Sequence, residues 1–400
     1  MTNYLLFGAL SLLFIGFVKG LLVWPVDLTL VLLGVLAVTL LFHIKAMLAI
    51  AHSKSLIILG LYLAYVSIRV WPDFADVGIE KLGRLLLIGM PVFFAGCLVG
   101  QSDQARERLS KVLITSGILV SLVVTLSSAF GSFDARQSFL SGGYQMTGIL
   151  IGLAFVVAVI ERRPMVVGCT ALGLAVCGNL SGALFAGLVA LTVWLLRRDI
   201  RSAVISMGVT AALIALYSLV VHPPVLFTVA ASKLVGLTAN IAGQYTENLP
   251  GIFTFTPDIS SLTPDPRAKT EAASADRIWL YGDAVRHWYS APLFGKGFGN
   301  LTYIIPEYAY PHNVFLELLA ETGLIGFSLF LVFCLSLLAA VRVGKDTLLL
   351  CSLASFIFLL SMVSGDASSR FLWFGLGLLF AAGEKTVRGV GESQKTVKLA

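Results

Sequence analysis

Charge is what this 400-residue sequence has least of. Only 12% of its residues are Asp, Glu, Lys or Arg, while 58% are hydrophobic. A soluble chain of ordinary composition is about 25% charged. So little charge excludes a soluble globular protein of this length and makes lipid the expected solvent. The 28 Lys+Arg and 22 Asp+Glu leave a net charge of +6. It is scattered in short clusters with no basic stripe, which excludes a nucleic-acid surface. Cysteine is scarce too. Cys97, Cys169, Cys177, Cys334 and Cys351 all fall inside apolar runs, so they read as small buried hydrophobes rather than disulfide or metal ligands. The N-terminus lacks a basic n-region, and its apolar run reads as a first anchor helix, not a cleaved signal. Repeats at solenoid periods and paired inverted halves are also missing.

What is present is a series of apolar runs. A spanning helix needs roughly 20 such residues, and about twelve segments meet or approach that length, near 4–22, 26–44, 55–71, 82–100, 111–130, 145–160, 164–179, 181–196, 202–221, 313–341, 347–363 and 369–383. The stretch 145–196 holds three of them joined by tight turns and is open to a re-entrant reading. The expected fold is all-α, a polytopic transmembrane bundle of about 12 spans with one large loop containing short helices. Residues 1–221 form about nine N-terminal spans, 222–311 the loop, 312–383 about three C-terminal spans, and 384–400 a basic tail.

Orientation follows from the basic residues. With the N-terminus inside, the inner loops and tail hold sixteen Lys and Arg against seven acids. Among them are Arg162, Arg163, Arg197, Arg198 and Arg201. Both termini are then cytoplasmic and residues 222–311 face outward. Long connections of this kind are usually functional, and His222, His287 and His312 all fall between 222 and 312.

Within the loop, SADRIWLYGDAVRHWYSAP predicts a helix opening at Ser274 and stopping at Pro292. At helical spacing Arg277, Tyr281, Ala284 and Trp288 share one stripe, Asp276, Asp283 and His287 another, and Arg286 lies roughly opposite Arg277. Arg277 reads either as a snorkelling or acid-paired residue that orients the helix, or as an anion clamp. Its planar fork suits phosphate and never titrates away. Trp288 and its aromatic neighbours suit headgroup level. The following APLFGKGFGN has glycines at 295, 297 and 299 but no GK[ST]. It reads as a tight turn toward the membrane more readily than as a phosphate cradle. Tyr303, Tyr308 and Tyr310 then form an aromatic patch suited to the interface or to sugar stacking.

From Pro311, His312 and Asn313 a helix is predicted to run to about residue 341, longer than a hydrocarbon core of about 30 Å requires. Its first turns should project from lipid or line a cavity. His312 then sits at a helix N-terminus, whose dipole disfavours imidazolium, and a neutral imidazole is what a general base requires. Asn313, Glu317 and Glu321 share one face. Acids so placed are costly unless they meet an interior or a water-filled site. A lone interfacial histidine is more often structural than catalytic. Here His, Asn, two Glu and a preceding Arg helix converge on one membrane edge.

The order of the Arg-x-x-x-aromatic helix, PLFGKGFG, a short aromatic loop and HNVFLELLAETGLIG resembles the O-antigen ligase/polymerase superfamily of bacterial inner-membrane glycosyltransferases, chiefly over residues 274–335. The resemblance implies glycan transfer from an undecaprenyl-diphosphate carrier to an acceptor hydroxyl at the periplasmic face, either a glycan or lipid A-core. The transfer it implies is inverting and uses no metal or cofactor. By position, His312 matches the family's loop histidine, the candidate base, and Arg277 its loop arginine, which contacts the carrier diphosphate. Arg286, Arg84 and Arg370 follow as looser anionic-group contacts. Many members carry Ser-Arg-Gly in a middle span, whereas this chain reads GNLSGALFAG, with Ser181 and Gly182 adjacent. A transporter or flippase is the competing class. It predicts ionisable groups near mid-span and broken helices in symmetric positions, whereas the charges here gather at the outer edge.

Overall fold

The computed structural model describes residues 2–15, 28–51, 53–70, 76–130, 143–221, 280–301, 312–341, 344–364 and 366–399. Among them there is no strand. The regular structure of the described residues is all helical. Five helical stretches combine length and apolarity enough to cross a membrane: Gly78–Gln101, Asp103–Phe130, Leu180–Arg197, Ile200–Val220 and Val314–Ala340. Tyr4–Phe14, Val31–Leu41, Gln145–Ile160, Pro164–Cys177 and Thr347–Val363 are shorter apolar helices. Large hydrophobics such as Phe7, Leu61, Leu188 and Leu219 stand exposed on their outer faces, as expected where lipid replaces water.

The helices run in the order α1 (Thr2–Phe14), α2 (Leu28–Leu41), α3 (Ile44–Ala51), α4 (Lys54–Val70), α5 (Asp76–Arg84), α6 (Met90–Gln101), α7 (Asp103–Phe130), α8 (Gly143–Ile160), α9 (Pro164–Cys177), α10 (Leu180–Arg197), α11 (Ile200–Val220), α12 (280–290), α13 (Val314–Ala340), α14 (Lys345–Ser364) and α15 (Arg370–Leu399). The stretch 145–196 does fold as three helices with two-to-three-residue turns. The expected segment 26–44 ends earlier, at Leu41, and a separate short helix, α3, follows it. Two compact units result, one of residues 1–113 and 290–400, the other of 114–289.

In the first unit α6 packs along α15, α15 against α13 and α14, and α13 along α4. Lipid tails are as apolar as leucine, so close contact and not hydrophobicity must drive this packing. Small residues supply it. A Cβ at Gly96 would lie 2.6 Å from the Phe374 carbonyl oxygen, and one at Gly100 2.5 Å from the Ala381 Cβ. Above this seam Trp373 is fully buried among Tyr62, Phe93, Phe330 and Phe333, with ring centroids 6.3–6.5 Å away. Its indole N–H donates to the Ala367 carbonyl at 2.9 Å. Between α5 and α6, residues Leu85–Gly89 form a π turn in which the Met90 N–H reaches the Leu85 carbonyl. Pro91 follows directly, and having no N–H it is accommodated by this wider turn.

In the second unit α9 packs between α8 and α11, and α10 packs on α8. The GNLSG segment is a junction. Asn179 caps α10 by accepting from the Gly182 N–H at 2.8 Å, and its amide donates to the Gln145 carbonyl at 3.3 Å. A Cβ at Gly148 would sit 2.6 Å from the Asn179 Cγ, so α8 needs glycine there.

Substituting Gly96→Val is expected to lower the thermal midpoint of the detergent-purified protein sharply. Gly187, with open space around its Cβ position, is the control. Gly187→Ala should hold or raise the midpoint, since Ala is favoured over Gly in a helix by about 1 kcal/mol.

Candidate functional site

The site starts where the chain enters α13. Asn313 is extended, and its Oδ1 accepts from the Phe315 and Leu316 N–H groups at 3.0 and 3.1 Å. It is a double N-cap, which occupies the oxygen that a sugar hydroxyl would otherwise meet. His312, half-buried just before it, has φ 55°. Left-handed backbone in a non-glycine residue costs about 1–3 kcal/mol and concentrates at functional positions.

Glu317 and Glu321 follow one turn apart and are completely buried. The acids meet a residue that the sequence pattern did not single out. Lys81, from α5, pairs with Glu317 and, at 2.6 Å, with Glu321. Its ammonium also lies 4.9 Å from the centre of the Phe298 ring. The other oxygen of Glu317 accepts from the Ala367 N–H at 3.1 Å. The cluster thus holds two carboxylates to one ammonium. The available signal was chemical: two buried acids at i and i+4 demand a cation. Sequence could not choose among Arg69, Lys81, Arg84 and Arg370.

α13 is not one helix. Gly323 has φ 65° and ψ −169°, so the run expected to continue to 341 breaks after nine residues, Val314–Thr322. The glycine loop fills the break. Lys296 and Gly297 donate their N–H groups to the Ala320 and Glu321 carbonyls, both at 2.9 Å. Across the gap, Leu324 and Ile325 donate to the Pro292 and Leu293 carbonyls at 2.9 and 3.2 Å. The insert thereby supplies partners to groups on both sides of the break. Tyr65 donates to the Thr322 carbonyl at 2.9 Å and Arg69 to the Gly295 carbonyl at 3.0 Å. Gly295 and Gly323 both have positive φ, and a Cβ on either would come within 2.5 Å of the other's nitrogen. The loop's amides at Lys296 and Gly297 are consumed by carbonyls, so PLFGKGFG serves here as a backbone insert and not as a phosphate cradle.

The remaining described candidates lie on three different helices. Arg84 is exposed and pairs with Glu80 on the same helix. Arg370 opens α15, half-buried. Arg286 is exposed and Trp288 half-buried on α12, where His287 and Asp283 approach to 3.2 Å, as their shared stripe implies. Arg277, Ser274, Tyr303, Tyr308 and Tyr310 lie outside the described residues. Among the described residues no group of three or more His, Cys, Asp or Glu is arranged to hold a metal ion.

Residues 170–331 match the family model described as O-antigen ligase. Over this stretch the chain is similar to that family. The matched stretch runs from within α9 through the insert at 291–299 to beyond the α13 break, so it contains His312, Asn313 and both buried acids. A search of curated proteins found no match. The family is one of glycosyltransferase-type enzymes, acting in general on a lipid-linked glycan and an acceptor. Lys81 lies outside the matched stretch, although it completes the cluster.

Lys81→Met leaves two carboxylates buried without a cation and should destabilise the protein by about 3–5 kcal/mol. Replacing all three groups, as Lys81→Met/Glu317→Gln/Glu321→Gln, should recover most of the lost thermal midpoint. Gly323→Ala should be as damaging as Lys81→Met, read by the same melt.

Proposed function

We propose that the protein is a bacterial inner-membrane glycosyltransferase that moves a glycan from an undecaprenyl-diphosphate carrier to an acceptor hydroxyl at the periplasmic face, without a metal ion. The observation that carries this reading is His312. It is a strained, left-handed residue directly ahead of a short capped half-helix, within a stretch that matches the O-antigen ligase family. The half-helix is held by the Lys81 cluster, the glycine insert and Tyr65. Such rigidity suits a residue that must meet a hydroxyl at hydrogen-bonding distance.

In this mechanism the acceptor oxygen attacks the anomeric carbon while His312 takes the hydroxyl proton. The new C–O bond forms as the bond from that carbon to the diphosphate oxygen breaks, and a single displacement inverts the centre. The departing diphosphate gains negative charge, which the fork of Arg277 stabilises. Arg286, Arg84 and Arg370 are further contacts for anionic groups. The Asn313 amide and the Trp288 ring are suited to sugar hydroxyls and sugar faces. Glu317 and Glu321 act through Lys81 to hold the half-helix, so their part in substrate binding is indirect.

His312→Ala should lower transfer with purified lipid-linked donor by about 100-fold or more, and Arg277→Ala by a similar factor, with both variants still folded in the membrane. Full activity in both would overturn the assignment. Supplying lipid A-core or a second lipid-linked unit as the acceptor distinguishes ligation from polymerisation, by which product forms.

A further inference from the structure

The second unit carries a cluster that the transfer reaction does not use. Where α8 gives way to α9 and α10 to α11, two short turns lie side by side. Arg162 of the first pairs with Asp199 of the second at 2.8 Å, and Arg197 donates to the Ile160 carbonyl at 2.6 Å. Together the turns present five arginines, at 162, 163, 197, 198 and 201, against two carboxylates. Both carboxylates are already engaged. Glu161 pairs with Arg163 at 2.8 Å, while Asp199 holds Arg162 and caps α11 through the Ser202 N–H at 3.1 Å. Arg198 and Arg201 are exposed, and neither guanidinium has a partner among the described residues.

Two further observations separate this cluster from a plain orientation signal. Among the described residues only three non-glycines have positive φ, and two are here: Arg162 at 57° and Arg198 at 52°. Helix ends of this shape ordinarily take glycine, which adopts the conformation without steric cost. An orientation signal needs basic residues somewhere in the loop, but it does not need them on strained backbone. In addition, the indole N–H of Trp194, one turn before Arg198, is buried with no hydrogen-bond partner. A buried orphan donor is costly, and the cost is relieved if an acceptor arrives. Around these donors Met165, Leu195, Leu196 and Ile200 are exposed and apolar.

We propose that this end of the second unit is a binding site for an acidic phospholipid. The phosphate is held by the forks of Arg198 and Arg201 with Arg163 beside them. The Trp194 N–H donates to an ester or phosphate oxygen, and the acyl chains lie on the apolar residues next to it. Both α10 and α11 are long and apolar enough to cross a membrane, which places their connecting turn at headgroup depth. Arginine rather than glycine at position 198 trades backbone ease for a guanidinium aimed at the phosphate, which binds planar oxyanions through paired donors.

The test uses the full chain, purified in neutral detergent and stripped of lipid, then titrated with phosphatidylglycerol, phosphatidylcholine or inorganic phosphate. Bound lipid is counted by native mass spectrometry and the thermal midpoint is followed. Phosphatidylglycerol should bind and raise the midpoint, while phosphatidylcholine and inorganic phosphate should not. Arg198→Gly and Arg201→Gln should each weaken phosphatidylglycerol binding about fivefold, and Trp194→Phe should weaken it as well. Arg198→Gly has a second signature. Its midpoint without lipid should equal or exceed that of the parent, because glycine relaxes the strain, while the lipid-dependent rise shrinks. Equal binding of the two lipids, equal stabilisation by free phosphate, or parental phosphatidylglycerol affinity in the Arg198→Gly/Arg201→Gln double variant would each overturn the site. Undiminished binding in Trp194→Phe would remove the indole from it.

Discussion

Hydrocarbon offers a broken helix nothing to bond with, so every backbone group freed by the break at Gly323 must find protein. The rest of the first unit is arranged around that requirement. The insert 291–297 approaches α13 closely enough to bond on both sides of the gap, and only glycine at 295 and 323 permits that approach. Tyr65 and Arg69 of α4 tie the insert and the break together. A span that would otherwise have been one continuous rod becomes a half-helix, Val314–Thr322, with its own supports.

The buried charges belong to the same solution. An ammonium between two carboxylates costs more in desolvation than it returns as stability unless its geometry is good, so it is better understood as fixing position. Lys81 brings α5 to the half-helix, Glu317 brings in the turn at Ala367, and Ala367 in turn accepts from Trp373 at the centre of the aromatic core. His312 immediately precedes the Asn313 cap of this half-helix. Among the described residues the left-handed non-glycines are His312, Arg162 and Arg198. The non-glycine backbone strain of the described residues therefore gathers next to helix ends, at the entry to α13 and in the turns that follow α8 and α10.

Much of this was legible in the residues. The apolar runs gave the helices, the two tight turns within 145–196 follow from the spacing of its three runs, and Asn313 with Glu317 and Glu321 is visible at the head of one helix. The glycine loop is legible as a tight turn, though not as the partner of a break more than twenty residues away. Lys81 escaped attention. It stands in a polar stretch, DFADVGIEKLGR, that resembles any solvated span end, and its partners lie more than 230 positions further along the chain.

By itself the sequence determined the solvent, the helices and the short ordered block around His312, because each depends on local composition and on spacing along one helix. Only the tertiary structure decided which cation meets the buried acids, that α13 breaks, and that two arginine turns share one surface with an unsatisfied indole. Those outcomes depend on long-range contacts, where a single hydrogen bond or a missing Cβ selects one arrangement over others that the same local pattern permits equally well.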